Sequence, residues 1–142
     1  MTNPQIGSVE IAAAQEQPEV LVNGVDRAIT QALCGQITID ITVDANLTLQ
    51  ATAPPDAGDQ WAAGTIVITD TGVVLTGGID VIYPDVDTLY GGPSRLMFVF
   101  VNNTAQILTV RRAGQPGIAI AAGVSALLYH DGTDIVAIVA SI

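Results

Sequence analysis

The chain holds few side chains that could carry out chemistry, and their spacing limits what that chemistry could be. His130 is the only histidine, and the serines are Ser8, Ser94, Ser125 and Ser141. A hydrolytic triad needs nucleophile, base and orienting acid in contact. Ser125 and His130 lie in or beside one predicted strand at odd spacing, which puts them on opposite faces. Cys34 is the only cysteine. It follows apolar Leu33 with no basic neighbour to favour a thiolate, so packing is its expected role. Asp85 with Asp87, and Asp131 with Asp134, pair carboxylates in loops. Calcium takes about six to eight oxygen ligands, and no twelve-residue loop pattern surrounds either pair. Solvated turn residues are the plainer reading. Gly77-Gly78 and Gly91-Gly92 lack the Lys-Ser/Thr of a phosphate cradle, and the chain contains no lysine. We therefore expect no catalytic, cofactor or metal site, and no enzyme.

Two other groups could serve recognition. Arg111-Arg112 is the one basic pair; it suits forked contacts to acidic residues of a neighbouring subunit, or it lies free in solvent. Trp61, Tyr83 and Tyr90 sit in or beside two long loops. Such aromatic residues can stack on a host-surface glycan, anchor a loop or fill an interface pocket.

The elements that would position these residues follow from periodicity. Residues 1–17 resemble an extended arm. Pro18-Glu19 suits a first helical turn, and Leu21, Val25, Ile29 and Leu33 recur every four residues with Ala28 and Ala32 beside them. That predicts one helix over residues 18–34, ended by Gly35 and weakened by Gly24. Beyond it, Ile37, Ile39, Ile41 and Val43 alternate with polar residues, the period of a strand with one buried face. Further strands are expected at Leu47–Leu49, Thr65–Thr69, Val73–Thr76, Ile79–Tyr83, Arg95–Val101, Ile107–Val110, Ile118–Ile120, Val124–Tyr129 and Ile135–Val139. The stretch Arg95–Val101 is apolar on both faces, as a central strand would be. Loops are expected at Pro54–Gly64 and Pro84–Ser94, and Asp131-Gly132 is a strong hairpin signal. The expected fold is mainly β, an antiparallel β-sandwich or jelly-roll-like barrel preceded by an arm and one helix. Residues 1–34 would serve attachment and oligomerisation, and residues 35–142 would form the β domain.

Composition adds a constraint. Hydrophobic residues make up 49% of the 142 and charged residues 13%, about half the charged share of an ordinary soluble domain. A domain this small cannot hide so much apolar surface alone. The longest strongly apolar run, Leu96–Val101, is far short of a membrane span of ~20 residues, and the amino terminus has no basic-then-apolar leader pattern. Contact with other protein subunits is the expected cover. Fourteen acidic residues against four arginines give a formal charge of −10, which repels a phosphate backbone and argues against nucleic-acid binding. A single cysteine permits no internal disulfide, in keeping with folding in a reducing cytoplasm.

The segment from Ile11 to Asn23, with Gln15, Gln17, Glu19, Val20 and Asn23, resembles the amino-terminal segment of many tailed-bacteriophage tail-fibre and head-fibre proteins. Pro18 stands where those have lysine. Val74-Leu75-Thr76-Gly77, Val101-Asn102-Asn103-Thr104, Leu108-Thr109-Val110 and Leu128–Asp134 are similar to the β part of the same family, in the same order. The resemblance implies a virion component, commonly trimeric, assembled in the host cytoplasm and free of cofactors. Its partners would be copies of itself and phage capsid or tail proteins. The expected role is capsid decoration or a head fibre, with Leu21, Val25, Ile29, Leu33, Arg111 and Arg112 at interfaces and the helices of sister subunits packed together. The alternative is a tail fibre or adaptor that binds a host surface through Trp61, Tyr83 and Tyr90.

Overall fold

The computed structural model describes residues 35–51, 59–90, 97–139 and 141, with the side chains of Leu89 and Tyr90 excepted. The expected arm, helix and Cys34 lie outside the described residues. So do residues 54–58 of the first long loop, residues 91–94 of the second, and residues 95 and 96 at the start of the strand expected after it.

The described chain is mainly β. Its strands are β1 (Gln36–Asp40), β2 (Leu47–Thr48), β3 (Thr65–Thr69), β4 (Ile79–Tyr83), β5 (Met97–Asn103), β6 (Leu108–Arg112), β7 (Ile118–Ile120), β8 (Ser125–His130) and β9 (Ile135–Val139). Sheet I has the order β1-β3-β5-β8-β9 and sheet II the order β2-β4-β6-β7. Both sheets bury one face in a shared core. Ile39, Ile66, Ile68, Phe98, Phe100 and Leu128 come from sheet I, and Val81, Leu108, Val110 and Ile120 from sheet II.

The two-layer β fold agrees with the expectation, but its pairing is mixed rather than antiparallel throughout. From β1 to β6 the chain alternates between the sheets, so each strand returns to its own sheet parallel to the one before last. Gln36 opposes Thr65 and Thr65 opposes Val99, so successive coils are 29 and 34 residues long. A parallel return needs a crossover of about a dozen residues or more. Here the strand in the opposite sheet supplies it. The last three strands pair antiparallel, β7 on β6, β8 on β5 and β9 on β8.

Two further expectations are corrected. Val73–Thr76 is a turn, not a strand: the Val73 amide bonds back to the Asp70 carbonyl at 3.4 Å, Val74 is exposed and Leu75 is buried. The Pro84–Ser94 loop begins with a short helix, α1 (Val86–Tyr90). Asp85 caps it, accepting from the Thr88 amide at 3.2 Å and the Thr88 hydroxyl at 2.9 Å, which satisfies a donor that the first helical turn would otherwise leave open.

Candidate assembly surface

The structure takes most of the chemistry-bearing residues into the fold itself. His130 ends β8 on the buried face, its ring stacked on Tyr83 at 5.9 Å between centroids. Tyr83 stacks on Phe98 at 5.4 Å and meets the edge of Trp61 at 6.4 Å. The Tyr83 hydroxyl donates to the Trp61 carbonyl at 3.1 Å. Trp61 and Tyr83 are fully buried, so the expectation that they face a ligand is corrected: their large rings fill the core. The side chain of Tyr90 lies outside the described residues. Ser125 points out of sheet I while His130 points in, so the two do not meet.

The arginines are likewise tied down. Arg111 pairs with Asp80 at 2.6 Å, and Arg112 pairs with Asp85 at 2.6 Å and donates to the Gly132 carbonyl at 3.3 Å. Both side chains are ion-paired within the chain, which corrects the reading of Arg111 and Arg112 as free cations. Strand register explains the first pair, because Asp80 and Arg111 both project from the outer face of sheet II on adjacent strands. The loop carboxylates act as turn braces. Asp131 Oδ1 accepts from the amides of Thr133 and Asp134. Asp134 reaches across to the amides of Arg112 at 3.0 Å and Gly117 at 2.6 Å. Among the described residues, no three His, Cys, Asp or Glu side chains gather as a metal site would require.

What remains is apolar surface, in two places. The first is the stack of turns that carry each coil from sheet I to sheet II. Side chains lace these turns together. Asp40 Oδ1 accepts from the Thr69 hydroxyl at 2.7 Å and the Thr71 amide at 2.8 Å. Asp44 accepts from the Thr76 hydroxyl, and Asn46 from the Asp80 amide at 2.9 Å. Between the second and third turns, Asp70 accepts from the Ala105 amide and Gln106 donates to the Leu75 carbonyl. Hydrogen bonding holds the Asp40 carboxyl below the usual carboxylate range, the Thr69 hydroxyl contributing most. Each turn of this braced stack exposes one large aliphatic side chain: Val43 is 66% exposed, Val74 85% and Ile107 53%. A shallow cavity lined by Asp40–Val43 and Ala45–Leu47 lies along the first turn.

The second place is the outer face of sheet I. The outer face of sheet II carries Thr48, Asp80, Thr109 and Arg111 with Ile82 and Ala119 among them, a mixed and largely polar set. Sheet I is different. Register places Met97, Tyr129 and Val136 in one outward row, and Val99, Leu127 and Val139 in the next. Gln36 and Thr65 continue the second row onto β1 and β3, Thr38, Val67, Val101 and Ser125 form the next, and Asp40, Thr69 and Asn103 the last, so the apolar part of this face lies on β5, β8 and β9. Most of these aliphatic residues are half-buried, with Met97 57% and Val139 41% exposed. A bulge in β9 between the partners of Leu127 and Leu128 leaves Ile138 unpaired in the ladder and exposed.

Comparison with protein-family models, with curated proteins and with solved structures finds no match to this chain. Of the interface residues expected from sequence, Leu21, Val25, Ile29 and Leu33 lie outside the described residues. Sequence reasoning passed over Val43, Val74 and Ile107. The available signal was a large aliphatic residue within four positions of turn-forming Asp, Asn or Gly (Asp44, Gly72 and Asn103), where a soluble turn is ordinarily polar.

Proposed function

We propose that this protein is a non-enzymatic structural component of a tailed-phage virion, a capsid decoration or head-fibre protein that works by assembling with copies of itself. The observation that carries the reading is the row of Val43, Val74 and Ile107 on hydrogen-bonded turns. An exposed aliphatic set on a braced backbone loses little conformational entropy when another subunit covers it, so burial at ~25 cal/mol per Å² is retained as binding energy. The resemblance of the Ile11–Asn23 segment and of the later β motifs to phage fibre proteins supports the virion setting. In this reading residues 1–17 attach the subunit to the particle. The host-binding alternative loses its strongest support with Trp61 and Tyr83 buried in the core.

Light scattering on the full chain tests the reading. It should form a discrete homo-oligomer, a trimer by the family resemblance, at micromolar concentration. Val74→Asp combined with Ile107→Asp should yield folded monomers with unchanged circular dichroism. A wild-type chain that is a stable monomer would refute self-assembly. Quantifying the protein in purified particles then addresses its position, since decoration requires hundreds of copies and a tail component only a few.

A further inference from the structure

Among the described residues the two sheets end in four edge strands, and these are protected unequally. An edge strand presents unpaired N–H and C=O groups, and folds ordinarily blunt it by making it short or charged. In sheet II the edges β2 and β7 are two and three residues long. In sheet I, β1 ends in Asp40, and Asp44 stands in the turn that follows. The remaining edge, β9, runs for five residues, Ile135-Val136-Ala137-Ile138-Val139, with no charged side chain. Ile138 and Val139 are both exposed. A chain with a formal charge of −10 thus keeps one edge aliphatic and uncharged.

The ladder fixes which backbone groups this edge offers. The Asp131 amide donates to the Asp134 carbonyl at 3.1 Å and closes the β8–β9 hairpin. Pairs in an antiparallel ladder alternate between bonded and non-bonded. Counting out from that bond, Tyr129 with Val136 is a bonded pair, while His130 with Ile135 and Leu128 with Ala137 are non-bonded pairs. Ile135 and Ala137 therefore direct their N–H and C=O away from β8. No backbone group among the described residues bonds to them there. The bulge that follows Ala137 bends the strand. The flat stretch is short, so pairing along it is weak on its own, as an isolated strand pair is in water.

We propose that β9 is a self-contact in its own right, pairing antiparallel with β9 of a second copy across a two-fold axis normal to sheet I. A two-fold contact needs only one edge that is complementary to itself. Charge selects the antiparallel direction. The acidic hairpin tip, Asp131 and Asp134, precedes β9 in each copy, and antiparallel strands carry the two tips to opposite ends of the contact. Parallel strands would set them side by side, at a cost in like-charge repulsion. The pairing prolongs the outward rows Met97-Tyr129-Val136 and Val99-Leu127-Val139 into those of the copy, which shields Ile138 and Val139. This contact lies on different residues from Val43, Val74 and Ile107 and does not rest on the assembly reading. Where both operate, the turns build the discrete oligomer and β9 joins one oligomer to the next.

Sedimentation of the full chain carrying Val74→Asp and Ile107→Asp tests the contact. The protein should be monomeric at micromolar concentration and dimeric as the concentration approaches millimolar. Adding Ile138→Asp, which faces like charges across the axis, should weaken that dimer about tenfold or more. Ala137→Pro removes an outward donor and leaves the β8 ladder intact, and it should weaken the dimer likewise. Hydrogen exchange gives a readout confined to the edge. The Ala137 amide should slow with rising concentration, while the Val136 amide, bonded to β8, stays constant. Exchange at Ala137 in the chain without the β9 changes decides alone where a substitution disturbs folding. Monomers throughout, or association that neither substitution affects, would overturn the β9 contact. The two readings fail separately. A micromolar oligomer of the unsubstituted chain without a β9-dependent dimer keeps the turns and removes β9, and the reverse result keeps β9 alone.

Discussion

Asn102 and Ile120 join the two sheets: the Asn102 side-chain amide, at the buried end of β5, donates to the Ile120 carbonyl of β7 at 2.9 Å. The same nitrogen lies 2.8 Å from the Gln106 carbonyl and 3.1 Å from that of Ala121, so its two hydrogens serve three acceptors. Oδ1 accepts from the amide and hydroxyl of Thr104. Every polar atom of this buried side chain is therefore satisfied. Asn102→Asp keeps the shape but turns a carboxylate oxygen towards the carbonyls. We expect a loss of stability of about 3 kcal/mol or more, read as a lower urea midpoint with unchanged slope.

Gly117 stands where almost no other residue fits. Its φ is +68°, and a Cβ there would overlap the Val110 carbonyl and the Arg111 Cβ. Its amide also donates to Asp134 Oδ2 at 2.6 Å, pinning the β8–β9 hairpin against β6 and β7. Gly117→Ala combines left-handed strain of about 1–2 kcal/mol with that overlap. It should destabilise by more than about 2 kcal/mol in thermal or urea unfolding, whereas Gly114→Ala, open around its Cβ position, should cost only the strain.

These two sites show what was legible in the sequence. Alternation revealed the strand around Ile37, because one buried face imposes a period of two, and the Asp131-Gly132 hairpin signal revealed the strand around Ile135. Central placement of β5 was legible in the apolar run from Met97 to Val101. Parallel pairing was not, because it depends on which distant strand comes alongside, and coils of 29 and 34 residues leave no fixed repeat. Val73–Thr76 has strand-like residues, yet the braces from Asp44 and Gln106 hold it as a turn. The candidate surface was least legible. Arg111, Arg112, Trp61 and Tyr83 looked like recognition residues until folding supplied their partners, and Val74 looked like a strand residue until it was left in solvent.

Tyr83 gives a prediction that separates core from binding roles. Removing its hydroxyl in Tyr83→Phe deprives the buried Trp61 carbonyl of the bond at 3.1 Å while keeping the stacking on Phe98 and His130. The expected cost is about 1–2 kcal/mol. Trp61→Ala, which empties a fully buried site, should cost about 3–5 kcal/mol. Both changes are read in urea unfolding. If the residues served a surface site instead, stability would stay within about 0.5 kcal/mol of wild type.

Acid should loosen the fold at its capped and braced carboxylates. Asp40 has its pKa lowered from 3.8 by hydrogen bonds, the Thr69 hydroxyl first and then Thr71. Asp85 is lowered from the same value, chiefly by the Thr88 hydroxyl, with burial opposing and Arg112 assisting. A carboxyl whose pKa is lower folded than unfolded binds its proton more readily in the unfolded chain. Its contribution is therefore present above the unfolded value near 3.8 and is lost as pH falls through the lower folded value. Thermal midpoints of the wild type should hold above pH 5 and decline steeply below 4. Asp40→Asn and Thr88→Val should lower the midpoint at neutral pH, and their difference from wild type should shrink as the pH drops towards 3. A difference that stays constant across that range would show that neither carboxylate is linked to folding through its charge.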